Sequence, residues 1–451
     1  MLILNNGLVV NGDGRTAPYN GSVLIEGDRI AAVGPDNYTG GADDTVIDLE
    51  GRLLMPGAID AHVHAVAPGP RFASGTPGVS VEEALGNLRR HLSQGHTTVV
   101  DLDGFKLPEE TAQVQGRQSV RVESSTVHFE PMFAAADASD GTALRDEHRA
   151  ATAAQMVESG AVVIGEVGAG MTLGGGGQDY MYIPAAIEEA TGVRLGPNPS
   201  KELKYAVLGR HIRPGNPDRD KLEELLLKYG LNGRIDVDKM ITLIEESVMP
   251  SIQVALDGLV VSAQLAVDLG VPTLVHNSAA SDEAAREAAR IAGTLFIGGH
   301  TNHGTFSAEE SVANARYVKD QGGFVEVDTF DAWGRKELHD TPEHLIALMQ
   351  ADLIDIIATD YAAGHWDGMF EMVDAISRVG LATLQEAVAM ATGNVGKAIP
   401  RIGADRGQLK AGQLADVVVS AQKSPADVRL VIIGGEIALS RDGLNIAKPG
   451  Q

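Results

Sequence analysis

The stretch PGAIDAHVHA, residues 56–65, ends a short apolar run with two histidines that are one residue apart. In a β-strand, residues i and i+2 point to the same face, so His62 and His64 are predicted to enter one pocket. Two neutral imidazoles side by side are half of a metal site. If the chain binds a metal here, the remaining ligands must come from other strands.

On the C-terminal side of this stretch, short runs rich in Val, Ile and Thr alternate with helical stretches. Eight strands are expected, at 58–64, 96–104, 119–130, 161–168, 271–277, 294–304, 323–330 and 353–361. Helices are expected between them, among them 81–95, 143–160 and 307–322. Eight strand–helix repeats predict a (β/α)8 barrel. An open doubly wound sheet is the alternative, and the lack of a Gly-rich phosphate loop disfavours it.

The two ends of the chain differ from this repeat and consist of strands separated by tight turns. LILNNGLVVNGDG and GSVLIEGDRIAAVG, at 2–14 and 21–34, have the pattern of hairpins with Asn-Gly and Gly-Asp turns. Similar strands return within 407–443. We therefore expect residues 1–55 and 402–451 to form one small β-sandwich domain beside a barrel of residues 56–401.

One segment, at about 170–250, interrupts the repeat between the fourth and fifth strands. It contains a glycine run and at least two helical stretches, at 218–230 and 238–249. Barrel active sites lie in the loops that follow the strands, so this insertion is expected at the mouth, as a lid or as an oligomer contact. Arg194, Arg210 and Arg213 within it are either contacts for a substrate carboxylate or surface charges.

The composition excludes several classes of protein. Hydrophobic residues make up 44% of the chain and charged residues 22%, which is typical of a soluble globular protein. The net charge of −25 repels phosphate backbones and anionic lipid, so neither nucleic acid nor a membrane is expected as a partner. There is no cysteine, which leaves His, Asp, Glu or a lysine-derived group to bind a metal. Without a signal-peptide pattern or a long apolar run, a cytoplasmic location is expected.

Ionisable residues follow five of the eight expected strands, at the end where a barrel gathers its catalytic groups. They are His62, His64, Glu166, His276, His300 and Asp360. Taken singly, a histidine or carboxylate at a strand end is more often a core, loop or capping residue. Together, four imidazoles and two carboxylates would be costly to bury without compensating charge, and they suffice to bind two divalent metals. Zn²⁺ is the default, and Mn²⁺, Fe²⁺ or Co²⁺ would also fit.

Two further pairs of residues lie close to this set. His303 is a rival ligand to His300, because the segment HTNH contains both, and His300 is preferred since it ends the apolar run. Asp101 and Asp103 end the second strand and are expected to support or cap neighbouring groups rather than to bind the metal.

Two more histidines are candidates for contact with a substrate. His128 ends the third strand and is expected to orient a substrate carbonyl. His365 follows the last strand, in DYAAGHWDG, and is either a substrate contact together with Trp366 or an ordinary loop histidine.

The ordered set of motifs resembles the amidohydrolase superfamily, metal-dependent hydrolases built on a (β/α)8 barrel. The matching features are PGAIDAHVHA, Glu166, His276, His300, Asp360 and GQLKAGQLADVVV at 407–419. A small β unit made from both chain ends is also typical of that family. VIGEVGAG at 163–170 and AVAMATGNVGKAI at 387–399 are similar to enamidase-like and imidazolonepropionase-like members. The resemblance covers nearly the whole chain except the insertion.

The resemblance implies a ligand set and a reaction. The two histidines of the first strand and Asp360 would bind one metal, His276 and His300 a second, and Glu166 would bridge them. Many binuclear relatives have a carboxylated lysine in that bridging place. A metal-activated hydroxide would cleave a carbon–nitrogen bond, with Asp360 moving the proton. The implied substrate is a small amide, with a cyclic amide or enamide favoured, and a homo-oligomer is expected by analogy.

The alternatives use the same fold. A mononuclear deaminase of an amino-heterocycle would lack the bridging carboxylate and would have the pattern H-x-x-E after the fifth strand, whereas the sequence at 276–283 is HNSAASDE. A lactone or ester hydrolase would use the same metal centre. A non-catalytic scaffold is disfavoured because the chain retains the full ligand set.

Overall fold

The fold is described from a computed structural model over residues 1–168, 177–329, 342–362, 366–441 and 445–447. His365, expected as a substrate contact or as an ordinary loop histidine, lies outside these described residues.

Both ends of the chain contribute to one nine-stranded sheet. Its strands are β1 (Leu2–Val9), β2 (Tyr19–Glu26), β3 (Arg29–Gly34), β4 (Thr45–Asp48), β5 (Leu53–Pro56), β14 (Val417–Ala421), β15 (Ser424–Ile433), β16 (Glu436–Ser440) and β17 (Asn445–Ala447). Antiparallel pairing of β5 with β14 joins the two ends of the chain. Leu4, Val23, Leu54, Val417 and Leu430 belong to the apolar core of this sheet. The separate sheet expected from both termini is therefore present.

The other sheet has eight parallel strands arranged in chain order. They are β6 (Ala58–Val63), β7 (His96–Asp101), β8 (Arg121–Thr126), β9 (Val163–Val167), β10 (Thr273–His276), β11 (Phe296–Gly299), β12 (Phe324–Asp328) and β13 (Ile356–Ala358). The first and last strands approach each other, because the His64 N–H donates to the Tyr361 carbonyl oxygen at 2.7 Å. The expected (β/α)8 barrel is confirmed, with all eight strands in the predicted places.

Apolar side chains fill the interior of the barrel. Ile59, Val100, Val163, Leu274 and Ile356 belong to one buried cluster contributed by five different strands. A barrel packed in this way has no central pore, so functional groups collect where the strands end.

Helices cover the outside of the barrel, and many begin with a capping box. The described helices are α1 (Val81–Ser93), α2 (Pro108–Thr111), α3 (Glu130–Asp137), α4 (Asp146–Ala150), α5 (Ala153–Glu158), α6 (Ile183–Thr191), α7 (Pro197–Leu208), α8 (Arg219–Lys228), α9 (Val237–Leu269), α10 (Asp282–Ala292), α11 (Ala308–Asp320), α12 (Glu343–Gln350), α13 (Met369–Arg378), α14 (Leu384–Met390), α15 (Gly393–Ala398) and α16 (Pro400–Gly403). A π-helical turn, Gln178–Tyr182, and a 3-10 turn, Gly293–Leu295, accompany them.

One expected helix is wrong in its extent. The stretch 143–160 contains two short helices, α4 and α5, rather than one. Thr152 lies between them with an extended backbone, and its hydroxyl accepts a hydrogen bond from the Gln155 N–H at 3.3 Å. The Gln155 side chain accepts in return from the Thr152 N–H at 3.0 Å. This reciprocal capping restarts the helix at Ala153.

The described part of the segment after β9, from residue 177, leads directly into a helix of the barrel. Helices α6, α7 and α8 precede α9, which continues through position 250 as far as Leu269. By length and composition alone α9 could cross a membrane, but here it packs against α3, α10 and β9. The second half of α9 therefore serves as the barrel helix that precedes β10.

Candidate metal centre

Glu166, near the end of β9, lies among four histidines from three other strands. Its Oε1 is 2.7 Å from Nδ1 of His276 and 3.1 Å from Nε2 of His300. Its Oε2 is 3.7 Å from Nε2 of His62 and 3.6 Å from Nε2 of His64. The two oxygens of one carboxylate thus face two different pairs of imidazoles.

Asp360 completes the cluster from the end of the last strand. Its Oδ1 is 3.4 Å from Nε2 of His64 and 3.7 Å from Nε2 of His62. Asp360 and His300 both have a left-handed backbone, with φ of 47° and 55°. Non-glycine residues rarely adopt this conformation, and it recurs at functional sites. The structure therefore brings together all six residues expected as metal ligands, and each of them is buried.

Three of these imidazoles are held by a second carboxylate at their Nδ1 atoms. The pairs are His62 with Glu326 at 2.8 Å, His64 with Asp103 at 2.8 Å and His300 with Asp328 at 2.6 Å. A carboxylate at one ring nitrogen fixes the orientation and tautomer of the ring, so the other nitrogen is directed toward the cluster.

Glu326 and Asp328 are functional candidates that the sequence analysis missed. Both lie on β12, which was recognised as a strand, and both are buried. They alternate on the strand in the same way as His62 and His64. Two acidic residues at i and i+2 within an otherwise apolar strand were the available signal.

Asp103 belongs to a buried charged group with Asp101 and Lys106. The Lys106 ammonium lies 2.6 Å from Asp101 Oδ2 and 2.5 Å from Asp103 Oδ2. Burial raises the pKa of Asp101 to about 6, although Lys106 opposes the rise. Asp103 also accepts backbone hydrogen bonds from Ala65 and Phe72. It thus supports His64, in agreement with the supporting role expected for it.

Neighbouring side chains of opposite charge shift the pKa values of His62 and Glu166. Burial by itself lowers the pKa of His62, but Glu326 and Glu166 raise it well above its usual range. Burial likewise raises the pKa of Glu166, yet His276 and His62 hold it well below its usual range. Glu166 is therefore anionic among the imidazoles, which is the state that a metal-bridging carboxylate requires.

The spacing of the donors fits divalent metal ions. Nε2 of His62 is buried without a hydrogen-bond partner and is 3.7 Å from both Glu166 and Asp360. Two ligands at about 2.1 Å from one ion lie roughly 3–4 Å apart, which is the separation found here. Two groups composed only of expected ligands have all ligand atoms within 4.8 Å of one another, namely His62, His64 and Asp360, and His62, Glu166 and His300.

His128 has partners outside this cluster. Its Nδ1 is 3.0 Å from Thr126 Oγ1, and its ring lies against Phe105 and Phe133. Burial lowers the pKa of His128 to about 4, so the ring is neutral. Its Nε2 is buried and has no hydrogen-bond partner among the described residues.

His303 lies near the cluster but does not contact Glu166. Its ring centre is 5.2 Å from that of His276 and 6.0 Å from that of His300. Its Nδ1 is 2.8 Å from Thr305 Oγ1. His300 is the member of this pair that approaches Glu166, and its role as the ligand stays a prediction.

Two of the three candidate arginines, Arg210 and Arg213, pair with acidic residues of the barrel helices, whereas Arg194 is surface-exposed. Arg210 contacts Glu310 through both of its terminal nitrogens, at 2.7 and 3.1 Å. Arg213 contacts Glu283, and Arg194 is 80% exposed. Glu283 and Glu310 lie just after β10 and β11, so the insertion is fastened at the mouth of the barrel.

Trp366 packs away from the six-residue cluster. Its ring centre lies 4.5 Å from that of His91, 5.7 Å from that of His96 and 4.6 Å from that of Tyr361. These contacts bury Trp366 in the layer around the barrel, beside a second group of histidines.

Comparison with known proteins finds relatives over parts of the chain. No protein-family model matches it. It is 35% identical over 133 residues to an adenine deaminase of Ruegeria sp., 30% over 144 residues to an imidazolonepropionase of Arthrobacter sp. and 30% over 193 residues to a dihydroorotase of Geobacillus sp.. These matches cover 29%, 26% and 42% of this chain, and only 19%, 36% and 40% of the relatives.

Solved structures match over almost the whole length. A crystal structure of a prolidase complexed with N-methylphosphonate-L-proline covers 98% of this chain and 100% of its own, with a TM-score of 0.57. At 17% sequence identity this likeness concerns the fold alone. It agrees with the barrel and terminal sheet described above.

Proposed function

We propose that this member of the amidohydrolase superfamily is a metal-dependent hydrolase that cleaves a carbon–nitrogen bond of a small amide, with a cyclic amide or enamide favoured. The position of Glu166, with one oxygen toward each pair of imidazoles, carries the proposal. Relatives named imidazolonepropionase, dihydroorotase and N-substituted formamide deformylase, which are hydrolases of carbon–nitrogen bonds other than peptide bonds, support it.

Two divalent ions, with zinc as the default, are part of the proposal. The two histidines of β6 and Asp360 would bind one ion, His276 and His300 would bind the other, and Glu166 would be shared. Such ions polarise a carbonyl oxygen and lower the pKa of water. The imidazole-rich donor set without cysteine suits zinc, and also manganese, iron or cobalt.

We assign proton transfer to Asp360. Burial raises its pKa, but His300 and His64 lower it below the usual value for an aspartate, so the carboxylate is anionic. It is the acidic side chain contributed by the end of the last strand, 3.4 Å from His64. An anionic carboxylate there can accept a proton from attacking water and return it to the leaving nitrogen.

We assign substrate orientation to His128 and to His365. When the Thr126 hydroxyl donates to Nδ1 of His128, the neutral ring carries its proton on Nε2, for which no hydrogen-bond partner is found among the described residues. A donor of this kind can hold the carbonyl oxygen of an amide. The role of His365 rests on its place in the sequence, five residues after Asp360.

We also propose that the segment 177–236 covers the substrate. Its attachment runs through Arg210 and His211, whose Nδ1 lies 2.9 Å from the carbonyl oxygen of Ala279 after β10. A segment fastened beside the ends of β10 and β11 is placed to exclude water from the mouth of the barrel. A cytoplasmic location and a homo-oligomeric state complete the proposal.

The experiment combines metal analysis with a substrate screen. Purified protein is loaded with zinc, and its metal content is measured by plasma mass spectrometry. It is then assayed on hydantoins, dihydropyrimidines, lactams and enamides for ring opening or amide cleavage. Glu166→Gln is the test variant, and Glu130→Gln, an exposed residue at the start of α3, is the control.

Hydrolysis of one of these amides by wild type and Glu130→Gln, but not by Glu166→Gln, would support the proposal. Ammonia release from amino-heterocycles without amide cleavage would instead indicate a deaminase, the activity named for one relative. Hydrolysis of lactones or esters alone would also contradict the assignment to carbon–nitrogen bonds.

A further inference from the structure

A second group of ligand-type side chains lies outside the proposed metal centre. Asp60 comes from β6, His91 from the last turn of α1 and His96 from the first position of β7. All three are fully buried. None of the three is an expected site residue or has a role in the proposed mechanism, although Asp60 is only two residues from His62.

Three atoms of this group converge on one point. Nδ1 of His91 is 2.9 Å from Nδ1 of His96, and these two nitrogens lie 3.9 Å and 3.4 Å from Oδ2 of Asp60. A triangle with these sides has a circumscribed circle of about 2.0 Å radius, which equals the usual zinc–nitrogen and zinc–carboxylate distances. An ion in the plane of these three atoms could contact all of them at that distance, and a tetrahedral ion with a water ligand would need only small side-chain shifts.

A cation at that point would stabilise the ionised form of Asp60. Its Oδ1 accepts from the backbone N–H groups of Thr359 and His62, and its Oδ2 accepts from the Thr359 hydroxyl at 2.6 Å. Across the described part of the chain no lysine or arginine pairs with this carboxylate. A buried carboxylate without a cation is costly, whereas an ion bound to Oδ2 would neutralise it.

Binding a metal through both Nδ1 atoms would change the proton positions on the two imidazoles. In a metal-free pair only one Nδ1 carries a proton, so one Nε2 is a bare acceptor in an apolar layer. Nε2 of His91 and of His96 are both buried without partners in the described structure. With both Nδ1 atoms bound to a metal, each Nε2 is an N–H group directed at its surroundings, among which is the ring of Trp366 near His91.

We propose that Asp60, His91 and His96 form an additional, structural divalent metal site that takes zinc, with one coordination position left for water. Two imidazoles and one carboxylate are a typical ligand set for a borderline divalent ion. The Thr359 hydroxyl, which donates to Asp60 Oδ2, would orient the carboxylate ligand. Such an ion would tie α1 and β7 to β6, the strand that supplies two of the proposed catalytic ligands.

The first test counts zinc. Wild type, His96→Leu and His91→Leu are loaded with zinc, freed of excess metal by gel filtration and measured by plasma mass spectrometry. The control is His148→Leu, which replaces another fully buried histidine, one that pairs with Glu110. We expect wild type and the control to hold one zinc per chain more than either of the other two variants. Equal zinc content in all four proteins would overturn the proposal.

The second test does not require the variants to fold. Anomalous diffraction at the zinc edge from crystals of zinc-loaded wild type locates each ion directly. A peak between Asp60, His91 and His96 is expected, separate from any peak at Glu166. Peaks at Glu166 with none at the second group would overturn this inference and leave the proposed function standing. A peak at the second group alone would support this inference and contradict the proposed metal centre at Glu166.

Discussion

Nδ1 of His62 lies 2.8 Å from Oε1 of Glu326, so a carboxylate on the seventh barrel strand orients an imidazole on the first. Neither side chain is exposed to solvent. The pair turns Nε2 of His62 toward Glu166 and Asp360, 3.7 Å from each. The geometry of the proposed metal centre thus depends on residues that are not themselves among the expected ligands.

This pair gives the first prediction. Glu326→Gln keeps the size of the side chain but removes the charge that favours a protonated Nδ1 on His62. Because such supporting carboxylates typically contribute 10–100-fold to metal affinity, we expect zinc to bind roughly 10–100-fold more weakly. Competition with a chromogenic chelator measures the change, with Glu130→Gln as the control. Unchanged affinity would remove Glu326 from the centre.

A second prediction concerns Glu166. Glu166→Gln replaces one of the two carboxylate oxygens with an amide nitrogen, so it can no longer serve both imidazole pairs as an anion. We expect the variant to hold at least one equivalent of metal less than wild type, because a neutral amide cannot bridge two cations as a carboxylate can. Plasma mass spectrometry of gel-filtered protein measures it. A metal content equal to that of wild type would contradict the bridging role.

A third prediction separates proton transfer from metal binding at Asp360. Asp360→Asn preserves the shape and an oxygen donor but cannot accept a proton. We expect most of the metal to remain, while kcat falls roughly 10²–10⁴-fold, the usual contribution of a general acid–base group. Turnover is measured on the best substrate from the screen, beside metal content. Near-normal kcat in a variant with bound metal would exclude Asp360 as the proton-transfer group.

A fourth prediction tests the buried ammonium of Lys106. Lys106→Met leaves Asp101 and Asp103 as adjacent buried carboxylates without their cation. Removing one partner of a buried pair typically costs about 3–5 kcal/mol, and urea unfolding should show a loss of that order. The matched control is Lys221→Met, whose partner Glu224 is exposed, where a change of less than about 1 kcal/mol is expected. Similar losses of unfolding free energy in both variants would contradict a stabilising role for the buried Lys106 ammonium.

A fifth prediction is a pH dependence at the attachment of the insertion. Hydrogen bonds from Arg210 lower the pKa of Glu310 to about 2. A carboxylate with a depressed folded pKa stabilises the folded state above its unfolded pKa of about 4.3, and that stability is lost as the pH falls toward 2. Because both side chains are partly exposed, the effect should be modest, about 1 kcal/mol.

Thermal unfolding of wild type and Glu310→Gln checks this dependence. The difference in stability should be largest at pH 6 and should shrink as the pH falls from 4.3 toward 2. Glu223→Gln, an exposed residue of α8, serves as the control. A difference that is independent of pH would show that the ionised form of Glu310 does not fasten the insertion.

The strands and the cluster of ligand-type residues could be predicted from the sequence because both depend on local patterns. Each barrel strand is a short apolar run, and a residue at its end has to lie at the mouth once the strands are parallel. His62, Glu166 and Asp360 could therefore be grouped without knowing any distance. The helix over 143–160 was wrong because a capping box at Thr152 competes with helical periodicity, and this competition is settled by a few hydrogen bonds.

The sequence by itself therefore determined the barrel, the terminal sheet and the six residues of the cluster around Glu166. Only the tertiary structure decided which carboxylates orient which imidazoles, as Glu326 does for His62, and that Asp60, His91 and His96 meet. These contacts join residues on different elements, and no periodicity relates them. Which residues meet depends on the register of neighbouring strands and on the packing of α1 against the barrel. Only the folded chain defines both.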